Sequence, residues 1–264
     1  MPWTFSHPAA VIPIARICNG KVPAIGLVVG SCSPDFGYYL NTWDIATRSH
    51  SFVHSLYIAL PICLILIAIF STLRDGVLQL LPKIYSQVFE KFIPQIGIPK
   101  FRNLFFMVVA IVIGIYSHII WDSFTHNPKY FRDWWPFIGY VFTVKGIEIP
   151  FFKILQHSSS VIGISLLLYW LIKTVNLHRK QQVNPLKSKS ISWQVVYLFC
   201  IIIVCATLSI LNYAYRFEIK ISELHHFLFI NAVQGGMLVF CFFLLSAAAL
   251  QIKVVIDKVV GKTI

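Results

Sequence analysis

The chain has 264 residues, of which 57% are hydrophobic and only 12% charged, with a mean hydropathy of +0.74 and a formal net charge of +12. Soluble domains carry about a quarter charged residues, so the composition excludes a soluble domain with a large core and indicates an integral membrane protein. The basic residues fall mostly between apolar runs, where they face anionic headgroups and set orientation. No basic–aromatic stripe of the kind that tracks nucleic acid is present, so no nucleic-acid partner is expected.

The opening, Met1 to Ala10, has no basic leader and no clear cleavage site and is not read as a cleaved signal peptide. Residues 8–32 are apolar but interrupted by Arg16, Asn19, Gly20, Lys21 and Pro23. A span needs about 20 mostly apolar residues, so this region is expected to form two short interfacial helices, with a re-entrant pair as the alternative. A turn-rich loop, Gly30 to Gly37, carries Asp35. The segment Thr47 to Ser55, with His50 and His54, leads into a first span at about 56–73, kinked at Pro61. Residues 74–103 form a basic connector whose apolar spacing (Val77, Leu80, Leu81, Ile84, Val88, Phe89) predicts an interfacial amphipathic helix.

The second span is expected at about 104–121. An aromatic loop follows, with Trp134, Trp135 and Tyr140 as interface anchors. Gln156-His157-Ser158 opens a third span at 158–176, and a fourth and fifth follow at 193–212 and 227–250. The expected fold class is therefore all-α: a multi-pass helical bundle of about five spans, with short amino-terminal interfacial helices. Residues 1–176 would hold the chemistry, and residues 177–264 would add two spans and a basic tail. None of the six cysteines forms a Cys-x-x-Cys pair; Cys18 and Cys32 could join in a disulfide if their side is oxidising.

Each span crosses once. If residues 8–32 do not cross, parity collects His7, His50, His54, His118, His126, His157, His225 and His226 on one face, and only His178 lies opposite. Asp35, Asp44, Asp122, Asp133, Glu148, Glu218 and Glu223 join the histidines. Longer loops hold more polar residues, but that does not explain why His50, His118 and His157 sit at span ends. Ionisable groups at the ends of membrane helices are functional candidates by default. Of 22 lysines and arginines, 13 fall on the opposite side, so the positive-inside rule makes the histidine face extracytoplasmic.

The chemistry centres on Ser117 to His126. In a helix, His118 and Asp122 are one turn apart on one face and can converge on one point. An imidazole and a carboxylate at that spacing suit zinc; the alternative is a metal-free histidine–aspartate pair. A hydrolytic zinc site wants about three protein ligands and an open position for water. The candidates are His7, Asp35, His50, His118 and Asp122, with Asp35 and Asp122 also the catalytic carboxylates. Asp122 has a second option, holding His118 in one tautomer. Arg16 and Arg48 could hold a phosphate oxygen, headgroup contact being their duller role.

The ordered set Ser6-His7-Pro8-Ala9, Ser33-Pro34-Asp35, Ser49-His50-Ser51, Ser117-His118 with Asp122 to His126, and Leu155-Gln156-His157 resembles an uncharacterised family of bacterial multi-pass membrane proteins. That family is similar to inner-membrane proteins predicted to be metal-dependent hydrolases, and distantly to zinc-dependent phospholipase C and the P1-type nucleases. The resemblance covers about residues 1–176. It implies that His7, Asp35, His50, His118 and Asp122 are the metal-type residues, with His126 and His157 as secondary positions, and it implies an inner (plasma) membrane location. His54 falls where a small residue is expected and is discounted. Three functions follow as expectations: a zinc-type hydrolase acting at the membrane face on a phosphoester or lipid; a transporter or ion-coupled carrier using the His/Asp cluster; or a structural membrane protein without catalysis. Few polar residues lie deep within spans two to five, which favours surface chemistry over passage.

Overall fold

The computed structural model describes residues 3–18, 20–95, 101–126, 135–144, 146–181, 192–217 and 224–261. Trp134, Asp133, Glu218, Glu223 and the side chain of His225 lie outside the described residues. The elements are α1 (Pro8–Ile17), α2 (Ala24–Cys32), α3 (Phe36–Tyr39), α4 (Trp43–Ser49), α5 (Phe52–Thr72), α6 (Arg74–Leu80), α7 (Lys83–Phe89), α8 (Phe101–Thr125), a hairpin of β1 (Val141–Val144) and β2 (Ile147–Pro150), α9 (Phe151–Gln181), α10 (Trp193–Arg216) and α11 (Leu224–Val259). Single 3-10 turns lie at Thr4–Ser6, Ser33–Asp35 and Pro136–Gly139.

Among the described residues, five helices are long and apolar enough to cross a membrane: α5, α8, α9, α10 and α11. The shortest, α5, has 21 residues, about 31 Å at 1.5 Å per residue, which matches a hydrocarbon core of roughly 30 Å. This is the all-α, five-span class expected from sequence. Each of the five outruns its expected span at one end or both; α9 begins at Phe151, seven residues before the expected Ser158. That early start matters for the site. Two local expectations need correction. The connector after the first span holds two short helices, α6 and α7, because Pro82 at the junction lacks the N–H that a continuous helix needs. The aromatic loop contains an antiparallel hairpin, with Val141 opposite Pro150 and Val144 opposite Ile147, turned by Gly146 at φ +82°.

The contacts divide the chain into two compact units. The first contains α1, α2, α4, most of α5, α8 and most of α9. Its organising contact is between α2 and α8. Gly26 and Gly30 on α2 meet Ala110 and Gly114 on α8: a Cβ at Gly26 would lie 2.9 Å from Ala110 Cβ, one at Gly30 would overlap the Ile111 carbonyl, and one at Gly114 the Leu27 carbonyl. These are two small-xxx-small stripes, the pattern that lets membrane helices touch backbone to backbone. Leu27, Val11, Val22 and Ala110 close one apolar cluster beside the contact, and Ala59, Cys63, Ile67, Ile111, Ile115 and Ile119 form another between α5 and α8. So α2 is not merely interfacial; its Gly26, Leu27, Gly30 and Ser31 are buried.

The second unit holds α6, α7, α10 and α11. Gly76 of α6 abuts the Ala247 carbonyl of α11 and donates its N–H to Gln251 Oε1 at 3.0 Å. Arg74 ties α6 to α7 through Glu90 Oε1 at 3.1 Å and the Ile93 carbonyl at 3.3 Å. Between α10 and α11, Ser209 donates to Asn231 Oδ1 at 2.9 Å, and Asn212 to Gln234 Oε1 at 3.1 Å. Their polar side chains are thereby paired with each other, as apolar surroundings require.

Candidate metal centre

The α2–α8 contact sets the first ligand position. With the backbones touching at Gly30 and Gly114, the carbonyl of Ser31 reaches His118 one turn further along α8 and accepts its Nδ1–H at 2.7 Å. Immediately after α2, the 3-10 turn Ser33–Asp35 swings Asp35 inward. Thr4 donates its hydroxyl to Asp35 Oδ2 at 2.6 Å, which leaves Oδ1 facing His118 and His50. Gly37 abuts Ala46 on α4, and the Ala46 carbonyl accepts Nδ1–H of His50 at 2.7 Å.

Four atoms then converge: Asp35 Oδ1, His50 Nε2, His118 Nε2 and Asp122 Oδ2. The two imidazole nitrogens are 3.3 Å apart. His50 lies 3.4 Å from each carboxylate oxygen, and His118 lies 3.6 Å from Asp35 and 3.4 Å from Asp122. All four lie within 4.8 Å of one another. Each carbonyl can only accept, so each Nδ1 must carry its proton, and a neutral ring then turns a bare Nε2 lone pair inward. With both rings neutral, four acceptors face one another with no donor between them. Two added protons would settle the arrangement, and so would one divalent cation.

The donor set fits a cation. Five of the six distances among the four atoms are 3.3–3.6 Å, and the sixth, between the two carboxylate oxygens, is within 4.8 Å; a tetrahedron with edges near the shorter range has its centre about 2.0–2.2 Å from each vertex, the range of zinc–nitrogen and zinc–oxygen bonds. Asp35 and His118 side chains are fully buried, while His50 is 21% exposed and opens the cluster to the outside. The sequence expectation of three ligands becomes four donors, two nitrogens and two oxygens.

His7 adjoins this set without joining it. Its ring stacks on His118 with centroids 3.8 Å apart, and its Nε2 lies 3.5 Å from Asp122 Oδ1. Both of these atoms are buried without a hydrogen-bond partner. Burial, helped by the neighbouring His118, pushes His7 down to about 3 against the pull of Asp122 and Asp35, so it is neutral and presents a lone pair. Burial would also depress His50, but hydrogen bonds to Asp122 and Asp35 outweigh it and lift the group to about 9. Burial would raise Asp35; the charge and hydrogen bond of His118 and the hydrogen bond of His50 hold it well below the usual carboxylate range instead.

His126, the first of the two secondary positions, is also drawn in. Its Nδ1 lies 3.4 Å from Asp122 Oδ2, and its Nε2 meets the Gln156 amide nitrogen at 3.3 Å. Burial pushes it down to about 4, against Asp122. His157 is not drawn in: it is exposed, and the buried side chain at that end of α9 is Gln156. His54, discounted from sequence, is exposed and bonds Ser51 at 3.1 Å. Asp44 pairs with Arg48 at 3.2 Å one turn along α4, and Arg16 lies over the Trp170 ring at 5.6 Å. Cys18 and Cys32 are free thiols, and Cys32 donates to the Thr4 carbonyl at 3.8 Å. Sequence reasoning missed Thr4 and Gln156. A threonine three residues before the first histidine gives no signal by itself, but a glutamine at the mouth of a span is a polar group that needs a partner.

The residues that carry this centre run from Thr4 to Gln156, and a single family profile matches residues 1–251. The chain belongs to the family described as Domain of unknown function (DUF4184). No curated protein and no solved structure matches it. Within this DUF4184 chain the site residues come from the loop before α1, the turn after α2, the end of α4, and the facing ends of α8 and α9.

Proposed function

We propose that the protein is a membrane-embedded, metal-dependent hydrolase that holds a divalent ion, zinc by preference, between Asp35, His50, His118 and Asp122. The observation that carries this reading is the convergence of four acceptor atoms, with the second polar atoms of His118, His50 and Asp35 already committed to Ser31, Ala46 and Thr4. When bound, such an ion supplies Lewis acidity, polarising an ester oxygen and acidifying a water. The chain's own groups do the rest. Asp35 has one oxygen tied to Thr4 and one in the cluster, which suits it to ligation. Asp122 keeps Oδ1 free of hydrogen bonds beside the neutral His7, which suits this pair to hold a proton or extend the donor set. His50 and His126, 21% and 32% exposed, line the approach for substrate.

The substrate class that the sequence resemblance supports is a phosphoester, on a lipid or near one. The clustering of site residues at helix ends supports chemistry at a membrane face, and the basic-residue bias supports an extracytoplasmic one in a plasma membrane. A transport role would call for a polar path along the spans, and the paired Ser209–Asn231 and Asn212–Gln234 contacts are poor support for one. The test is metal analysis of detergent-purified protein beside His118→Ala and Asp122→Ala. Stoichiometric zinc that both substitutions abolish is the expected result; metal-free wild-type protein after zinc supplementation would overturn it.

A further inference from the structure

On the outer side of Asp122 a chain of hydrogen bonds runs away from the four converging atoms. Lys153 Nζ lies 3.1 Å from Gln156 Oε1, Gln156 Nε2 lies 3.3 Å from His126 Nε2, and His126 Nδ1 lies 3.4 Å from Asp122 Oδ2. The direction of every proton in this chain is fixed by its first member. An ammonium group can only donate, so it selects the carboxamide oxygen of Gln156 and turns the NH2 toward His126. That NH2 can only donate, so His126 Nε2 must be the bare nitrogen and Nδ1 must carry the proton. The Nδ1–H then points at Asp122 Oδ2 and at Thr125 Oγ1, 3.3 Å away. Thr125 is free to accept because its own hydroxyl donates to the Trp121 carbonyl at 3.3 Å. No other assignment satisfies all five groups.

We infer that Gln156, oriented by Lys153, is a positioning residue: it locks His126 in the Nδ1–H tautomer, so that His126 donates to Asp122 and holds its carboxylate with Oδ2 toward His50 and His118. Gln156 itself is 2% exposed. A buried carboxamide at a membrane-helix end must find partners for its polar atoms, and the partners it finds lead to the metal centre. Its backbone carbonyl is used as well, by Ser159 and Ser160 at 3.1 and 2.9 Å, which secures the helix turn that aims it. Outer hydrogen bonds of this kind set ligand orientation and tune metal affinity by about 10–100-fold. That last consequence rests on Asp122 being a ligand as proposed above; the tautomer does not.

The test uses the full chain in detergent with histidine labelled at both ring nitrogens, the His126 signals being assigned by their loss in His126→Asn. Nitrogen NMR of the wild type is expected to show His126 protonated at Nδ1 and bare at Nε2. Gln156→Glu has nearly the same shape but can only accept, so a proton is expected at Nε2 as well as at Nδ1. Gln156→Leu is expected to leave a mixture of tautomers and to weaken zinc binding about 10–100-fold in chelator competition. Lys153 is exposed, so Lys153→Met is expected to fold normally and to shift the tautomer ratio in the same direction, by less. Wild-type His126 protonated at Nε2, or a tautomer unmoved by all three changes, would overturn the inference. Zinc bound as tightly by Gln156→Leu as by wild type would overturn its effect on the metal centre. Wild-type protein that takes no zinc would instead overturn the metal reading and leave the tautomer result to decide the role of Gln156.

Discussion

His50 and His118 face each other Nε2 to Nε2 at 3.3 Å, and each has its Nδ1 held by a backbone carbonyl at 2.7 Å. Two bare lone pairs at that separation repel, and two carboxylate oxygens alongside add to the repulsion. The fold therefore stores a demand for positive charge at one point, which protons and a cation compete to meet. Metal binding must displace the proton on His50, whose pKa is raised from 6.5 to about 9. Zinc affinity is accordingly expected to rise with pH up to about 9, as that proton is given up. Stability of the metal-free protein should run the other way. A raised pKa gives stability that is fully present below 6.5 and is lost as pH rises through about 9. Thermal unfolding of the stripped and zinc-loaded chain across that interval checks both slopes; parallel slopes would contradict the competition.

The second prediction concerns the α2–α8 contact. Gly30→Ala places a methyl against the Ile111 carbonyl, and Gly114→Ala places one against that of Leu27. The listeners to that strain are backbone atoms, which cannot swing aside as a side-chain tip would. Each change is expected to destabilise the first unit by about 1–3 kcal/mol and to lengthen the Ser31–His118 bond, weakening zinc binding although no ligand is altered. Gly20→Ala is the control for space, since nothing lies within 4 Å of a Cβ there, although its φ of +76° adds backbone strain. Unfolding midpoints and zinc titration on the three variants decide it: a Gly30→Ala protein with wild-type zinc affinity would show that the glycine contact does not position His118.

Much of this centre is written in local sequence. His118 and Asp122 share a face because helical period is a property of five consecutive residues, and both carboxylates and His50 lie beside short polar motifs at helix ends. The pairing of α2 with α8 was also present as two small-xxx-small stripes, Gly26 with Gly30 and Ala110 with Gly114, but a segment too short to span gave no reason to look for a helix partner. Gln156 was hidden for another reason. Adjacent helical residues point about 100° apart, so choosing between Gln156 and His157 requires the phase of α9, and that phase depends on packing against the first unit. The hairpin had its signal in Val141, Phe142, Thr143, Val144, Ile147 and Ile149, β-branched or aromatic residues on either side of Gly146, inside what the aromatic content alone marks only as an interface loop.

That phase argument gives a third prediction. His157→Ala and His54→Ala should leave zinc stoichiometry and affinity unchanged within about twofold, because both side chains are exposed and exposed substitutions away from such features usually change stability by less than about 0.5 kcal/mol. His126→Ala, by contrast, removes the hydrogen bond to Asp122 and should weaken binding about 10–100-fold. Chelator competition on the three proteins separates the two secondary histidines named from sequence. Loss of metal in His157→Ala would return that residue to the site and displace Gln156 from it.

Thr4 offers the sharpest separation of fold from site. Its hydroxyl bond to Asp35 Oδ2 at 2.6 Å is the shortest polar contact of the centre, and it reaches from the first described turn to the carboxylate oxygen that faces away from His50 and His118. Thr4→Val keeps the shape and removes the donor, leaving a fully buried carboxylate oxygen unsatisfied at a cost of about 1–3 kcal/mol. Asp35 is held well below the usual carboxylate range in the intact site, a depressed pKa whose stabilising effect is present above the unfolded value of 3.8 and is lost as pH falls below it. Without the Thr4 donor that pKa rises, so the variant should lose stability relative to wild type at neutral pH and converge on it under acid conditions, where the carboxyl is protonated in both. Zinc bound to Oδ1 should restore part of the lost stability, because the cation stabilises the same ionised group from the other side. Unfolding midpoints of both proteins measured from acid to neutral pH, with and without zinc, test this; a stability gap that stays constant with pH would assign Thr4 to packing rather than to the carboxylate.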